Sequence, residues 1–185
     1  KTNNGSVIIG TRVFLHDGHP KDDPNKCSQW YDGPFDTLIE SNLSESDFYK
    51  IMNPFKESKI TNYFLTPKNL PANPFTVNFF YHYVDMNTIN VTDYKEYKEK
   101  DSETVKAYFE RYPDEYGVSV ETTHGLVRIA AEKTLGATPR FLFVSGIPNR
   151  FGHFQEDLPN PPYPQNSVAS HNAGVALAQI IKSIL

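Results

Sequence analysis

The segment Gly117–Arg150, GVSVETTHGLVRIAAEKTLGATPRFLFVSGIPNR, narrows the folds open to this chain more than any other part of the sequence. Its pattern predicts a short strand at Val118–Val120, a helix over Thr122–Leu135 and a continuous apolar strand over Arg140–Ile147. Gly136 suits the position just after a helix, and an apolar strand of this kind is typical of a sheet covered on both faces. Strands that alternate with helices predict an α/β fold with a parallel or mixed sheet.

The rest of the chain adds strands and helices of the same two kinds. Val7–Leu15 is apolar and β-branched around a central Gly-Thr-Arg, which predicts a strand or a bent pair of strands. A helix is predicted at Ser46–Met52, with Ser44 or Ser46 as its N-cap and Asn53-Pro54 as its stop. The remaining predicted elements are a strand at Thr76–Met86, a helix around residues 101–111 that ends before Pro113, and a helix at Val168–Leu185.

Length, charge and cysteine content limit the class of protein. A chain of 185 residues suits a single domain. The net charge of -4 and the pI of 5.9 argue against a nucleic acid or an anionic membrane as the main partner. No apolar run approaches the roughly 20 residues that span a bilayer, and the lone Cys27 excludes an internal disulfide. We therefore expect a soluble protein, with the cytoplasm favoured as its compartment.

Two polar side chains follow the ends of the predicted C-terminal strands. Glu121 comes directly after Val118–Val120, and Asn149 comes just past Arg140–Ile147. Ligands of open α/β sheets bind outside the carboxyl ends of the strands. The sequence therefore predicts that Glu121 and Asn149 face one crevice.

This region also resembles the C-terminal signature of the nucleoside phosphorylase and nucleosidase superfamily. Val120-Glu121 stands where that family has Met-Glu at the entry to a helix. Ser145-Gly146-Ile147-Pro148-Asn149 stands where it has a motif like Arg-Gly-Ile-Ser-Asp. The closing run Ser167–Leu185 is similar to the family's Ala-rich last helix, and Asn3–Gly18 resembles a family segment that leads a strand to a His-Asp pair. Lys21–Leu70 has no clear match.

The resemblance implies a fold and a domain organisation. Residues 1–185 would form a single three-layer α/β domain of the phosphorylase/hydrolase-like kind, with a mixed central sheet. Val7–Leu15, Val118–Val120 and Arg140–Ile147 would lie in that one sheet. The family's Gly-rich phosphate loop and first strands precede the segment that matches Gly5, so they are missing here. We therefore expect an upstream segment to complete the sheet, or a homo-oligomer to supply the missing part.

An activity follows from the same resemblance. It implies an enzyme that binds a purine nucleoside and cleaves its N-glycosidic bond, by phosphorolysis or by hydrolysis. Glu121 would bind the ribose 2′ and 3′ hydroxyls, since a carboxylate can accept both hydrogen bonds of a cis-diol. Val120 would lie against the sugar, and Asn149 would bind the base and act in catalysis. No metal or organic cofactor is implied, and phosphate would be the co-substrate of phosphorolysis.

Two positions depart from the family pattern. Asn149 replaces an aspartate that protonates or hydrogen-bonds purine N7, and an asparagine offers a neutral hydrogen bond but cannot be a general acid. Ser145 replaces an arginine that is common in that strand. Both departures favour an alternative function, namely a non-catalytic nucleoside-binding, storage or transport-associated protein of the same fold.

Purely structural roles remain open for the same side chains. Glu121 suits the first turn of a helix, where the helix dipole stabilises a negative charge. Asn149 suits a turn after Pro148. His124, three residues after Glu121, is either a buried structural histidine or a group on the ligand side.

The loop that follows Val7–Leu15 carries His16, Asp17 and His19 within four residues. Three such side chains can bind a metal or carry out acid-base chemistry, or they can form an ordinary surface turn. A hydrolase built on His16-Asp17 is a third functional class, although no G-x-S-x-G motif accompanies the pair.

Overall fold

The computed structural model describes residues 4–17, 35–57, 63–65, 77–79, 84–89, 97–114, 117–121, 123–151 and 165–185. The chain divides into two compact units, and neither is a continuous stretch of sequence. The first unit consists of Lys1–Gly10, Ser44–Tyr81 and Phe143–Leu185, and the second consists of Thr11–Leu43 and His82–Leu142. Within the described ranges, no helix combines the length and the apolar character that crossing a membrane requires.

The first unit contains a three-stranded mixed sheet. Its strands are β1 (Val7–Gly10), β4 (Val77–Phe79) and β7 (Phe143–Gly146), in the order β4-β1-β7. The central strand β1 pairs parallel with β4 and antiparallel with β7. All of β1 is buried, which explains why its sequence, VIIG, is apolar throughout.

Helix α1 (Glu45–Glu57) begins as predicted and ends later than predicted. The backbone N–H of Asp47 donates to Ser44 Oγ at 3.1 Å, so Ser44 caps the helix. The predicted stop at Asn53-Pro54 is wrong, because the helix continues through Pro54 to Glu57. A proline at this point removes one backbone hydrogen bond, and its ring crowds the carbonyl four residues earlier, at a cost of about 3 kcal/mol. Burial of Phe55 in that turn offsets part of this cost.

The C-terminal helix, α4 (Gln165–Ile184), packs against α1, β1 and β7 in the first unit. Its buried face includes Asn172, which is fully inaccessible to solvent. Asn172 Nδ2 donates to Gly5 O at 2.7 Å and to Leu65 O at 3.1 Å, while its Oδ1 accepts from Leu65 N at 2.8 Å. One buried amide therefore joins α4 to the start of β1 and to residues 63–65.

The second unit contains a four-stranded mixed sheet in the order β3-β2-β5-β6. Its strands are β2 (Arg12–Asp17), β3 (Leu38–Glu40), β5 (Val84–Ile89) and β6 (Gly117–Glu121). The edge strand β3 is antiparallel to β2, whereas β2, β5 and β6 run parallel to one another. The carboxyl ends of three strands therefore meet at one edge of this sheet.

Two helices pack on the sheet of the second unit. They are α2 (Tyr97–Arg111), which ends two residues before Pro113 as predicted, and α3 (His124–Leu135). Tyr108 of α2 is fully buried against Phe14 of β2, with ring centroids 5.3 Å apart in an edge-to-face arrangement. Val120 of β6 packs against the same pair. These aromatic contacts form the core on this face of the sheet.

The predicted single sheet is wrong. Val7–Leu15 divides at Thr11 into β1 and β2, which lie in different sheets, and β6 and β7 are likewise in different sheets. Thr76–Met86 divides in the same way, into β4 and β5. Strand β7 is an edge strand of which only Phe143 is buried, so it is not the doubly covered strand that its sequence predicts. The chain belongs to the α/β class, and its sheet topology lends no support to the predicted family.

Gly136 ends α3 in the left-handed conformation, with φ 65°, and its N–H donates to Glu132 O at 2.9 Å. We expect Gly136→Ala to lower the free energy of unfolding by about 1 kcal/mol, because an L-residue pays about that much for this conformation. A Cβ at this position would have no atom within 4 Å, so the cost would come from the backbone alone. Urea unfolding of wild type, Gly136→Ala and Gly136→Asn tests this. The asparagine variant should fall between the other two, and an alanine variant as stable as wild type would contradict the assigned helix end.

Candidate functional site

The carboxyl edge of the sheet in the second unit places His16 of β2 and Glu121 of β6 at the ends of parallel strands. Leu15 of β2, Asn87 of β5 and Glu121 of β6 lie in one row across the sheet, and His16 lies one residue beyond it. Neighbouring strands are ~4.8 Å apart, so β2 and β6 are separated by about 10 Å at this edge. Because ligands of α/β sheets bind at such edges, we take it as the candidate site.

A histidine and an aspartate form a close pair at the end of β2. His16 Nδ1 lies 2.6 Å from Asp36 Oδ1, and the side chains are 17% and 41% exposed. An ionised carboxylate can only accept hydrogen bonds, so Nδ1 carries the proton and donates it to Asp36. The other ring nitrogen, Nε2, then has a free lone pair in the neutral imidazole. The hydrolase hypothesis paired His16 with Asp17, whereas the structure pairs it with Asp36; His19 lies outside the described residues.

Asp36 is held in place by an uncommon backbone conformation. Its φ is 54°, and its N–H donates to Leu15 O at 2.7 Å. Aspartate is one of the few residues that adopt this left-handed region at modest cost. The backbone bond to Leu15 therefore fixes the carboxylate of Asp36 directly beside His16.

Glu121 lies at the other side of the edge, where β6 leads into α3. Its two carboxylate oxygens accept hydrogen bonds from the N–H groups of Thr123 and His124, at 2.5 and 2.6 Å. The side chain of Thr123, which occupies the N-cap position, makes no capping bond of its own. Glu121 therefore caps α3 from two residues before the N-cap position, whereas the structural alternative placed it in the first turn of the helix. A carboxylate oxygen can accept more than one hydrogen bond.

The imidazole of His124 lies beside that carboxylate. Its Nδ1 is 3.6 Å from Glu121 Oε1, with the two side chains 29% and 19% exposed. This separation is longer than a hydrogen bond, so the contact is electrostatic when the imidazole is protonated. His124 is thus half-buried and lies next to Glu121. Both the structural role and the role on the ligand side remain open for it.

Val120 and Asn149, the other predicted site residues, lie in different surroundings. Val120 is half-buried and packs on the Phe14–Tyr108 pair, so its packing is accounted for by the core. Asn149 is half-buried in a bend after β7, two residues past Ile147, whose backbone bonds to Gly5 and Ser6 extend the β1–β7 pairing. Asn149 belongs to the first unit and Glu121 to the second. Their common crevice stays a prediction.

Among the described residues, no group of three or more His, Cys, Asp or Glu side chains is arranged to hold a metal ion. The edge instead offers one imidazole with a free nitrogen and two carboxylates, which are groups that accept and move protons or bind hydroxyls. In comparisons with known proteins, no family model matches this chain and no curated protein is significantly similar to it.

Proposed function

We propose that this protein binds a purine nucleoside and cleaves its N-glycosidic bond. The observation that supports this most is the position of Glu121, a carboxylate at the carboxyl end of a parallel strand and at the entry to a helix. That is the position implied by the resemblance of Val120-Glu121 to the Met-Glu pair of nucleoside phosphorylases and nucleosidases. The resemblance also implies a three-layer domain around one mixed sheet, and the two separate sheets of the described residues do not match that part of it.

In this proposal Glu121 accepts hydrogen bonds from the ribose 2′ and 3′ hydroxyls, as a carboxylate with two oxygens can. The glycosidic bond breaks dissociatively, with positive charge developing on the sugar. Asn149 binds the leaving base through its amide, and Val120 contributes apolar surface beside the sugar. No metal or organic cofactor takes part, and phosphate is the co-substrate if the reaction is phosphorolysis. A homo-oligomer or an upstream segment completes the site.

A second candidate is a nucleoside-binding protein without turnover, with a storage or transport-associated role. Two residues favour it, because Asn149 and Ser145 stand where the family has an acid and an arginine. Neither change removes the proposed diol contact of Glu121. The two candidates therefore share nucleoside binding and differ only in release of the base.

Glu121→Ala should abolish nucleoside binding and also destabilise the protein measurably. Its carboxylate caps two backbone N–H groups, so we expect a loss of about 1–2 kcal/mol in unfolding free energy. A dipole contact without those bonds would be worth less than about 1 kcal/mol. Calorimetric titration with adenosine and inosine measures the affinity, and urea unfolding measures the stability.

Two controls separate capping from ligand binding. A 2′,3′-dideoxynucleoside should bind wild type as poorly as the ordinary nucleoside binds Glu121→Ala. In both cases the hydrogen bonds between the ribose hydroxyls and the Glu121 carboxylate are missing. Glu121→Gln keeps one carbonyl oxygen and should lose part of both affinity and stability. Equal affinity of wild type for nucleoside and dideoxynucleoside would remove Glu121 from the ligand site and leave it as a helix cap.

A further inference from the structure

We propose that His16 and Asp36 form a general-base pair that activates a water molecule for attack on the sugar, so that the protein acts by hydrolysis. This inference rests on the proposed nucleoside-cleaving function and goes beyond it, because it names the nucleophile. His16 would be the catalytic residue, and Asp36, which acts through His16, would be a positioning residue.

The first argument is the hydrogen bond between the two side chains. At 2.6 Å, the Nδ1–H of His16 donates to the Asp36 carboxylate, so the basic nitrogen is Nε2. A carboxylate in this position orients the imidazole and stabilises the imidazolium that forms when Nε2 takes a proton. The arrangement therefore matches the geometry of a general base whose other ring nitrogen is held by a carboxylate.

The second argument is the way the pair is built into the fold. The backbone of Asp36 adopts φ 54°, and its N–H bonds to the carbonyl of Leu15, the residue before His16. Less common backbone conformations of this kind cluster at functional sites. The imidazole is 17% exposed and the Asp36 side chain 41% exposed, so the ring is largely buried while its partner carboxylate is in contact with solvent.

The third argument is the location of the pair relative to Glu121. Both stand at the carboxyl edge of the same parallel strands, about two strand spacings apart, ~10 Å. Side chains alternate along a strand, so His16, one residue beyond the row of Glu121, leaves the sheet on the opposite face. A ligand that contacts both must lie across the edge, which is where ligands of α/β sheets bind.

The proposed step balances without any further reactant. His16 Nε2 takes one proton from water while the water oxygen forms a bond to the anomeric carbon. The bond from that carbon to the base nitrogen breaks, and its electron pair leaves with the base. The base then takes a proton from solvent, and the imidazolium returns its proton to solvent. The products are free ribose and free base.

The test measures release of base from adenosine and inosine in phosphate-free buffer, with wild type and three variants. His16→Gln keeps a donor for Asp36 but cannot take a proton, so kcat should fall by about 10²–10⁴-fold with little change in KM. His16→Ala should lose the same activity and regain part of it when imidazole is added, which a structural role would not produce. Asp36→Asn retains a residue type that adopts a left-handed conformation and should lower kcat by about 10²-fold or more.

Asp47→Asn is the matched control, because it removes an exposed carboxylate that pairs with Lys50 on α1 at 3.5 Å. It should leave kcat unchanged, and unfolding curves of all variants should show that each is folded. Full activity in folded His16→Gln, or base release only when phosphate is present, would overturn this proposal and leave the proposed function intact. Wild type that neither binds nor cleaves either nucleoside would overturn both. Loss of activity in both histidine variants together with imidazole rescue supports the base pair.

Discussion

Gly146→Ala should destabilise the protein by about 2–3 kcal/mol, because the C-terminal helix passes too close to the end of β7 for any side chain. A Cβ on Gly146 would lie 2.1 Å from Ala169 O and 2.7 Å from Ala169 C, both backbone atoms of α4. Backbone atoms of a helix packed on a sheet cannot move aside as the end of a flexible side chain can. The helix would have to shift away from the sheet, and overpacking of this kind costs about 1–3 kcal/mol or more.

Gly174→Ala is the matched control for that prediction. It makes the same chemical change in α4 itself, at a position where an added Cβ meets no atom within 4 Å. Alanine favours a helix over glycine, so this variant should be stabilised by up to about 1 kcal/mol. Urea unfolding followed by circular dichroism compares both variants with wild type. A Gly146→Ala variant as stable as wild type would contradict the close packing of α4 on β7.

Asn149→Asp should raise the rate of cleavage of adenosine-like nucleosides by about 10²–10⁴-fold, because the aspartate can pass a proton to N7 of the leaving base. An asparagine at this position offers only a neutral hydrogen bond. The variant should do little for 6-oxopurine nucleosides such as inosine, or slow them, because the amide can accept from N1–H while it donates elsewhere. Steady-state assays with adenosine and inosine, on wild type and variant, measure the difference.

Asn53→Asp makes the same change of charge on an exposed turn of α1 and should alter neither rate. An increase in both variants would indicate a general effect of charge rather than proton transfer at Asn149. If neither wild type nor Asn149→Asp cleaves a nucleoside while both bind one, the catalytic role of Asn149 is wrong and the binding protein is the better description.

Helix ends were the most predictable part of the fold, because they depend on local chemistry. Gly136 ends α3 through its own backbone conformation, and Ser44 begins α1 through a hydrogen bond three residues away. Pro113 follows α2 as predicted. The rule failed at Pro54, where the buried side chain of Phe55 lies one residue further on and tertiary packing stabilises another turn. The starts of α2 and α4 were also placed three to four residues too late, because no capping residue marks them.

Sheet membership was not predictable from the same patterns. β1 and the centre of β2, Val13–Leu15, are both apolar, and Thr11 alone separates the two strands. Yet β1 pairs with β4 and β7, while β2 pairs with β3 and β5. A strand's pattern reports how its faces are covered, but its partners are decided by backbone bonds to distant segments. Gly146 shows the same limit, since its closeness to Ala169 depends on a helix far along the chain.

The candidate site was predicted in part. Glu121 was identified from its place between a strand and a helix, and its capping bonds to Thr123 and His124 are local, so the structural alternative could be read from the sequence. Asp36 was missed because it lies 20 residues from His16. The sequence offered the adjacent Asp17 as a partner. No local signal identifies Asp36, a left-handed residue just before β3, as the residue that contacts His16.

The most direct test of nucleoside cleavage is release of free base from adenosine and inosine by the purified protein, measured with and without phosphate and repeated with Glu121→Ala. We expect wild type to release base from at least one of the two, and Glu121→Ala to release none because the ribose diol loses its acceptor. Release in phosphate-free buffer would identify water as the nucleophile. A wild-type protein that releases no base and shows no calorimetric binding of either nucleoside would contradict both the enzyme and the nucleoside-binding alternative.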